Sequence, residues 1–171
     1  MKQVKNYILF SAISLLTFTS CKKDNADIDL GTISVSIDGK QTTFNFGAKA
    51  TTTSVTGGYG ITIKGNKKDP AASQTNISFS ITSPSPIVAK TYVENGGGNP
   101  LIQMEYFYDF ILGIGTTASA YGSTTNPVTI TITEITSSSA RGTFHGELLY
   151  TALDGTTGKA VLSNGVFYVS F

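Results

Sequence analysis

The chain has 171 residues, of which 13% are charged, and it contains 18 Gly, no Trp, one His and one Cys. A single Cys excludes an intrachain disulfide, a cysteine-rich metal site and a CxxC redox pair, and we expect neither a metal nor a cofactor. The formal charge of +1 gives no basic footprint for phosphates, so we expect no nucleic-acid partner. The length and a hydrophobic fraction of 40% fit one domain with a packed core.

The first 20 residues have the order of a secretory signal peptide. Lys2 and Lys5 precede a mostly apolar stretch over 7–18, and small residues stand directly before Cys21. This stretch is shorter than the roughly 20 residues that a membrane-spanning helix needs. We therefore expect residues 1–20 to be removed, which leaves 10 Lys and Arg against 11 Asp and Glu in the mature chain.

The residues around Cys21 carry a resemblance to a known export signal. The segment LTFTSC over 16–21 resembles the lipobox of bacterial lipoproteins, in which a peptidase cuts before the Cys after a diacylglycerol has been attached to its sulfur. The resemblance implies that palmitate-type acyl chains on Cys21 anchor the protein in the membrane. Two or three acyl chains hold a protein stably, so no transmembrane helix is required. The alternatives are a free thiol or an ordinary residue at the end of a signal peptide.

Residues 21–31 are expected to form the lipidated Cys and a flexible tether. The segment KKDNADID over 22–29 is charged and has no apolar period. Its lysines and acids resemble the tag that directs Bacteroidetes lipoproteins to the outer face of the outer membrane, although a plain solvated linker would have the same composition. We expect an outer-membrane lipoprotein of the cell envelope, facing either the periplasm or the cell surface.

From residue 32 onward the dominant pattern has a period of two. Apolar and polar residues alternate over 33–38, 61–64, 77–82 and 128–133, which is typical of half-buried strands. Asp38-Gly39 predicts a tight turn into a strand over 43–46. No sustained helical period follows the signal segment. Further turns are expected at 57–58, 65–66, 84–86, 95–100, 122–127, 154–155 and 164–165.

This succession of short strands and turns predicts an all-β fold over residues 32–171. Short strands separated by closely spaced turns favour a single antiparallel β-sandwich of about eight to ten strands, with a partly open barrel as a variant. The segment 166–171 is expected to be a strand of the sheet.

The chain offers few groups for catalysis, and we assign no catalytic residue. The alternation over 143–148 places the only His, His145, on an outward face with Glu147. One His and no G-x-S-x-G elbow disfavour nucleophilic hydrolysis. A carboxylate-dependent glycan hydrolase stays open as an alternative, because such enzymes need only two acids across a cleft. The acids available for that role are Glu94, Glu105, Asp109, Glu134, Glu147 and Asp154.

The most unusual local composition is the aromatic run MEYFYDF over 104–110. As a binding platform, Tyr106 and Tyr108 would stack on sugar rings or anchor a protein partner, while Glu105 and Asp109 accept hydrogen bonds. As a central strand, the run would pack core on one face, and this second interpretation is favoured. Three further tyrosines lie near glycine-rich turns and are candidates for a binding rim. They are Tyr59, Tyr92 and Tyr121.

Four short segments carry a second resemblance: VSIDGK over 35–40, VTIT over 128–131, ARGTFHG over 140–146 and LSNGVF over 162–167. Together they resemble a family of small uncharacterised Bacteroidetes lipoproteins with a β-sandwich domain. The resemblance implies no catalytic residues. We therefore expect a non-catalytic, lipid-anchored binding or accessory module with a glycan, a peptide or an envelope protein as ligand. A purely structural or assembly lipoprotein is the alternative.

Overall fold

The computed structural model describes residues 28–55, 57–67, 75–96, 98–111, 114–119, 125–151 and 154–171. Cys21 and Tyr121 lie outside these residues. In the described part of the chain no helix is long and apolar enough to cross a membrane. Eleven β-strands account for most of it. They are β1 (Thr32–Ile37), β2 (Lys40–Phe44), β3 (Phe46–Val55), β4 (Gly58–Asn66), β5 (Asn76–Ser83), β6 (Thr91–Val93), β7 (Leu101–Ile111), β8 (Ile114–Ser119), β9 (Thr129–Ile135), β10 (Ser139–Thr151) and β11 (Thr157–Ser170).

The first two strands form the hairpin that the sequence predicts. Ile37 pairs with Lys40 across the turn, and Asp38 and Gly39 both have positive φ angles, 49° and 80°. Positive φ at both central residues matches the right-handed twist of the flanking strands, which is why Asp-Gly is favoured there. Alternate residues of β1 are buried, as a period of two requires.

The strands form two layers, and both edge strands of the second layer pair with central strands of the first. One layer has the order β2-β1-β11-β10-β9-β6 and the other has the order β3-β4-β5-β7-β8. Single residue pairs join them: Ser170 of β11 with Lys49 of β3, in parallel, and Leu149 of β10 with Ser119 of β8. All other ladders are antiparallel. The expected all-β fold is therefore confirmed as a sandwich that is nearly closed into a barrel.

The strand count exceeds the expected range by one because an extended segment crosses between the layers. β2 ends at Phe44 in the first layer, and β3 begins at Phe46 in the second. A strand that bends from one sheet into the other makes a corner of the barrel and is counted twice.

Three phenylalanine rings fill the centre of the barrel. The ring centroids of Phe79 and Phe144 lie 5.1 Å apart, and those of Phe79 and Phe167 lie 5.4 Å apart. Phe144 pairs across the strands with Gly165, and Phe167 pairs with Gly142. A Cβ on either glycine would meet the opposite ring closer than 3 Å, so the absent side chains make room for the rings. Burial of each ring stabilises the fold by about 1.5 to 3 kcal/mol.

Two expectations about β10 and β11 are wrong. Asn164-Gly165 is not a turn but lies inside β11, where Asn164 has a φ of 51°. Its φ differs from that of an extended residue, and the pairing shifts register opposite it, between Phe144 and Gly146, as a bulge allows. Glu147 is 8% exposed rather than solvated: its N–H donates to the Asn126 carbonyl at 3.0 Å, and its carboxylate binds the Lys159 ammonium at 3.0 Å. His145 is exposed, as expected.

The two ends of the barrel differ in the segments that lie there. At the end that we call the turn end are the β1–β2 turn and Asp154–Gly155, which precede the first residue of β11. At the opposite end, the tether end, the N–H of Gly31 donates to the carbonyl of Tyr168 at 2.7 Å, directly before β1. Phe171, the last residue, also lies at the tether end, where its N–H donates to the Ser138 carbonyl at 3.0 Å.

Candidate functional site

A cavity of about 470 Å³ opens at the turn end of the barrel. Three tyrosines dominate its wall, and lysines, threonines and one aspartate complete the lining. The lining residues are Ile37, Asp38, Lys40, Thr42, Lys67, Thr75, Tyr106, Tyr108, Tyr150 and Ala160. We call this site the tyrosine cavity.

Small residues on β11 leave the space that the cavity occupies. Gly158 pairs with Tyr150, and Ala160 pairs with Leu148. A Cβ on Gly158 would lie 2.5 Å from Cζ and from the hydroxyl oxygen of Tyr150, so the tyrosine ring extends over the bare glycine. Toward the centre of the barrel the corresponding space is filled by phenylalanine rings. The interior therefore changes from packed core to open cavity along β11.

The tyrosine rings contact one another and the core. Tyr106 and Tyr108 stack with centroids 5.1 Å apart and ring planes 18° from parallel. Tyr108 meets Tyr150 edge to face at 6.2 Å, and Tyr106 meets Phe44 in the same way at 6.2 Å. Such offset and perpendicular arrangements are the ones that aromatic quadrupoles favour. All three tyrosines are half-buried, so each keeps part of its surface for a ligand.

The aromatic run supplies both core and cavity wall. Met104 is buried on the inner face of β7, and Tyr106 and Tyr108 follow it at intervals of two. The favoured interpretation of a central strand is confirmed, since β7 pairs with β5 and β8. Glu105 lies on the outer face and is exposed, so it does not join the tyrosines in one platform. Asp109 lies in β7, but its side chain is outside the described residues.

The other candidate tyrosines lie elsewhere. Tyr59 is 49% exposed at the start of β4, where it pairs with Ser83 near the tether end. Tyr92 is only 2% exposed, and its hydroxyl donates to the Val88 carbonyl at 3.0 Å and accepts from the Val88 N–H at 2.9 Å. It therefore belongs to the core rather than to a rim. Tyr121 cannot be placed, because it is outside the described residues.

The buried carboxylates are engaged in the fold. Oε2 of Glu94 accepts from the N–H of Val128 at 3.3 Å, and Glu147 has its ion pair with Lys159. In the cavity, Oδ1 of Asp38 accepts from the N–H of Val161 at 2.8 Å. No group of three or more His, Cys, Asp or Glu side chains that could hold a metal ion occurs among the described residues.

Sequence reasoning missed Tyr150, Lys40 and Lys67. Tyr150 could have been found, because it follows Leu148 at an interval of two on the inward face of β10. The two lysines carried no signal, since their approach to the tyrosines depends on the closure of the barrel. Lys40 begins β2 and Lys67 directly follows β4, and these strands belong to different layers.

A second concave surface, of about 490 Å³, is located near the tether end. It is lined by Ala50, Thr51, Thr52, Ile135, Thr136, Ser137 and Phe171. Its described lining has one aromatic side chain and no charged one. The tyrosine cavity offers more chemistry for recognition, because it combines aromatic faces with hydroxyl and charged groups.

Comparison of the chain with models of protein families, with curated proteins and with solved structures gave no match.

Proposed function

We propose that the protein is a non-catalytic, lipid-anchored binding module whose ligand is a glycan held in the tyrosine cavity. The observation that carries the proposal is the meeting of three tyrosine rings in one cavity at the turn end. Tyrosine combines an apolar ring face, which packs on the carbon–hydrogen face of a sugar, with a hydroxyl that hydrogen-bonds to sugar hydroxyls. Thr42 and Thr75 add hydroxyl groups to the same wall.

The size of the cavity favours a glycan over an envelope protein as the ligand. A volume of about 470 Å³ falls within the roughly 300 to 1,000 Å³ typical of small-molecule sites. A stable protein partner covers about 800 Å² on each side, which is a surface rather than a cavity. A glycan can place one or two sugar units inside while the rest of its chain extends outside.

The anchoring part of the proposal rests on the lipobox-like segment before Cys21. Membership of the Bacteroidetes lipoprotein family, and a location at the outer membrane, are proposed on the same sequence resemblances. Labelling of cells with a fatty-acid analogue tests the anchor. We expect the wild-type protein to be labelled and a Cys21→Ala variant to lose the label. Equal labelling of the two would contradict lipidation at Cys21.

Binding is tested on a glycan array followed by calorimetry with the glycans that bind. We expect Tyr108→Ala to weaken binding about tenfold or more, since a buried aromatic contact at the centre of a site is often worth about 2 kcal/mol. Tyr59→Ala is the matched control, because it removes the same side chain near the opposite end of the barrel. An equal loss in both variants would place the ligand site elsewhere.

Two other outcomes would replace the proposal. A protein that binds no glycan but associates stably with an envelope protein in a pull-down would be a structural or assembly lipoprotein. Turnover of a polysaccharide that is abolished by replacing either of two acids would make it a hydrolase.

A further inference from the structure

Two lysines at the tyrosine cavity form no ion pair with any acid among the described residues. Lys40 and Lys67 line the cavity and are exposed. Neither ammonium group forms an ion pair in the described part of the chain, whereas Lys159 is paired with Glu147. The single described carboxylate of the lining belongs to Asp38, and one of its oxygens accepts the Val161 N–H. The described part of the rim therefore carries two ammonium groups against one carboxylate, whereas acids outnumber basic residues in the chain that is expected after removal of residues 1–20.

We propose that the glycan is acidic, an inference that rests on the proposed function. Its carboxylate or sulfate group lies against Lys40 and Lys67, while its sugar ring packs on the tyrosines. An ammonium group attracts an oxyanion as a point charge and donates up to three hydrogen bonds. Because both lysines are exposed, dissolved salt screens this attraction, which should therefore weaken as the ionic strength rises. The lysines provide selectivity for charge, and the tyrosines provide affinity for the sugar.

The test compares ligands that differ only in charge. The first probe is an oligogalacturonate, whose carboxylates are charged at neutral pH. The second is its methyl ester, which has the same sugar chain without the charge. A sulfated and an unsulfated galactan oligosaccharide form a second pair, which separates sulfate from carboxylate. Each glycan that binds on the array is likewise compared in an acidic and a neutral form.

We expect the acidic member of a pair to bind about tenfold more tightly than the neutral one. In a Lys40→Gln/Lys67→Gln variant we expect this preference to vanish, so that the acidic and the neutral member of a pair bind with equal affinity. A concentration of 1 M NaCl, at which the Debye length is about 3 Å, should remove the same preference from the wild-type protein. Circular dichroism confirms that the variant is folded.

The matched control is Lys49→Gln/Lys64→Gln, which removes the same net charge from an exposed cross-strand pair on β3 and β4. An equal loss of preference in this control would show an effect of overall charge and would overturn the inference. Equal binding of acidic and neutral members would also overturn it, while leaving the proposed glycan site intact. Absence of binding to any glycan would instead overturn the proposed function on which the inference rests.

Discussion

Glycine and aromatic residues face each other repeatedly across β10 and β11, with different consequences at different depths. At the centre, a Cβ on Gly142 would collide with the backbone carbonyl of Thr131 and with the ring of Phe167. At the cavity, a Cβ on Gly158 would collide only with the ring of Tyr150, at its outer end. A backbone carbonyl held in a sheet cannot move aside, whereas the end of a half-buried ring can.

This difference predicts two distinct results for the same substitution. Gly142→Ala is expected to destabilise the fold by about 3 kcal/mol, at the upper end of the usual cost of overpacking. Gly158→Ala is expected to cost about 1 kcal/mol, because the Tyr150 ring can swing away. Since that ring forms the cavity wall, Gly158→Ala should nevertheless weaken glycan binding. Urea unfolding and calorimetry measure the two effects, and unchanged binding by Gly158→Ala would contradict a role for Tyr150.

A second prediction at the residue scale concerns pH. Oδ1 of Asp154 accepts the N–H of Thr156 at 2.9 Å, and this backbone hydrogen bond is the main cause that lowers the pKa of Asp154 below its ordinary value of 3.8. Because the pKa of Asp154 is lower in the folded than in the unfolded chain, its ionised form stabilises the fold. This stabilisation is present when the pH is above the pKa of the unfolded chain and is lost as the pH falls through the pKa of the folded chain. Asp154→Asn is therefore expected to lower stability at pH 7 and to flatten the stability profile below about pH 4.

The control for this prediction is a second exposed acid, Asp29, replaced in the same way. Thermal unfolding between pH 2 and pH 7 measures both variants. An Asp154→Asn protein with the wild-type pH profile would show that the turn hydrogen bond contributes nothing to acid sensitivity.

At the scale of the elements, β11 holds the two layers together. It pairs with β1 on one side and with β10 on the other, and its residue Ser170 also contacts β3. Phe167 and Val169 are completely buried in the core. Loss of this strand would expose two edges and open the barrel at its closure.

Deletion of residues 166–171 is therefore expected to abolish cooperative unfolding. Burial of Phe167 and Val169 alone is worth about 3 to 6 kcal/mol, which is comparable to the whole stability of many domains. Deletion of Phe171 alone is the control, since this residue is 39% exposed and lies after the last strand. A sharp thermal transition in the longer deletion would refute the role assigned to β11.

The alternation of apolar and polar residues correctly predicted the strands that follow a regular pleat. The alternation over 33–37 and 77–82 matches the alternating burial of β1 and β5. It failed where a local change in the backbone depends on a partner strand. Asn164-Gly165 has the composition of a hairpin turn, but β10 and β1 pair with β11 on both sides and hold it extended through that point. Alternation also predicts an outward, solvated Glu147, but the residue is buried where its N–H bonds to Asn126, which is distant in sequence.

At the scale of the whole molecule, the tyrosine cavity could be predicted only in part. The sequence singled out Tyr106 and Tyr108, because their clustering is local. Tyr150 and Lys40 join them through strand order and closure, which no local pattern specifies. The same non-local arrangement moves Tyr92 into the core, where its hydroxyl finds the backbone of Val88.

The two ends of the barrel lie at different distances from the proposed anchor. Gly31 contacts Tyr168 at the tether end, and Tyr168 lies roughly 35 Å along β11 from Thr157 at the turn end, at about 3.3 Å per residue. The segment between Cys21 and Ile28 can span at most about 25 Å. We therefore expect an anchor at Cys21 to hold the tether end nearer to the bilayer than the turn end, with the tyrosine cavity opening on the far side.

This orientation predicts different distances to the membrane for two labelled positions. The proposed lipidation would occupy Cys21, the only Cys of the sequence, so Ser137→Cys and Thr157→Cys would each introduce a single free thiol for a fluorophore. Ser137 is exposed in the β9–β10 turn at the tether end, and Thr157 is exposed at the turn end. In vesicles that contain acceptor-labelled lipid, we expect stronger energy transfer from position 137 than from position 157. Equal transfer would mean that the barrel lies on its side, and the reverse order would place the cavity against the bilayer, where a glycan could not enter it.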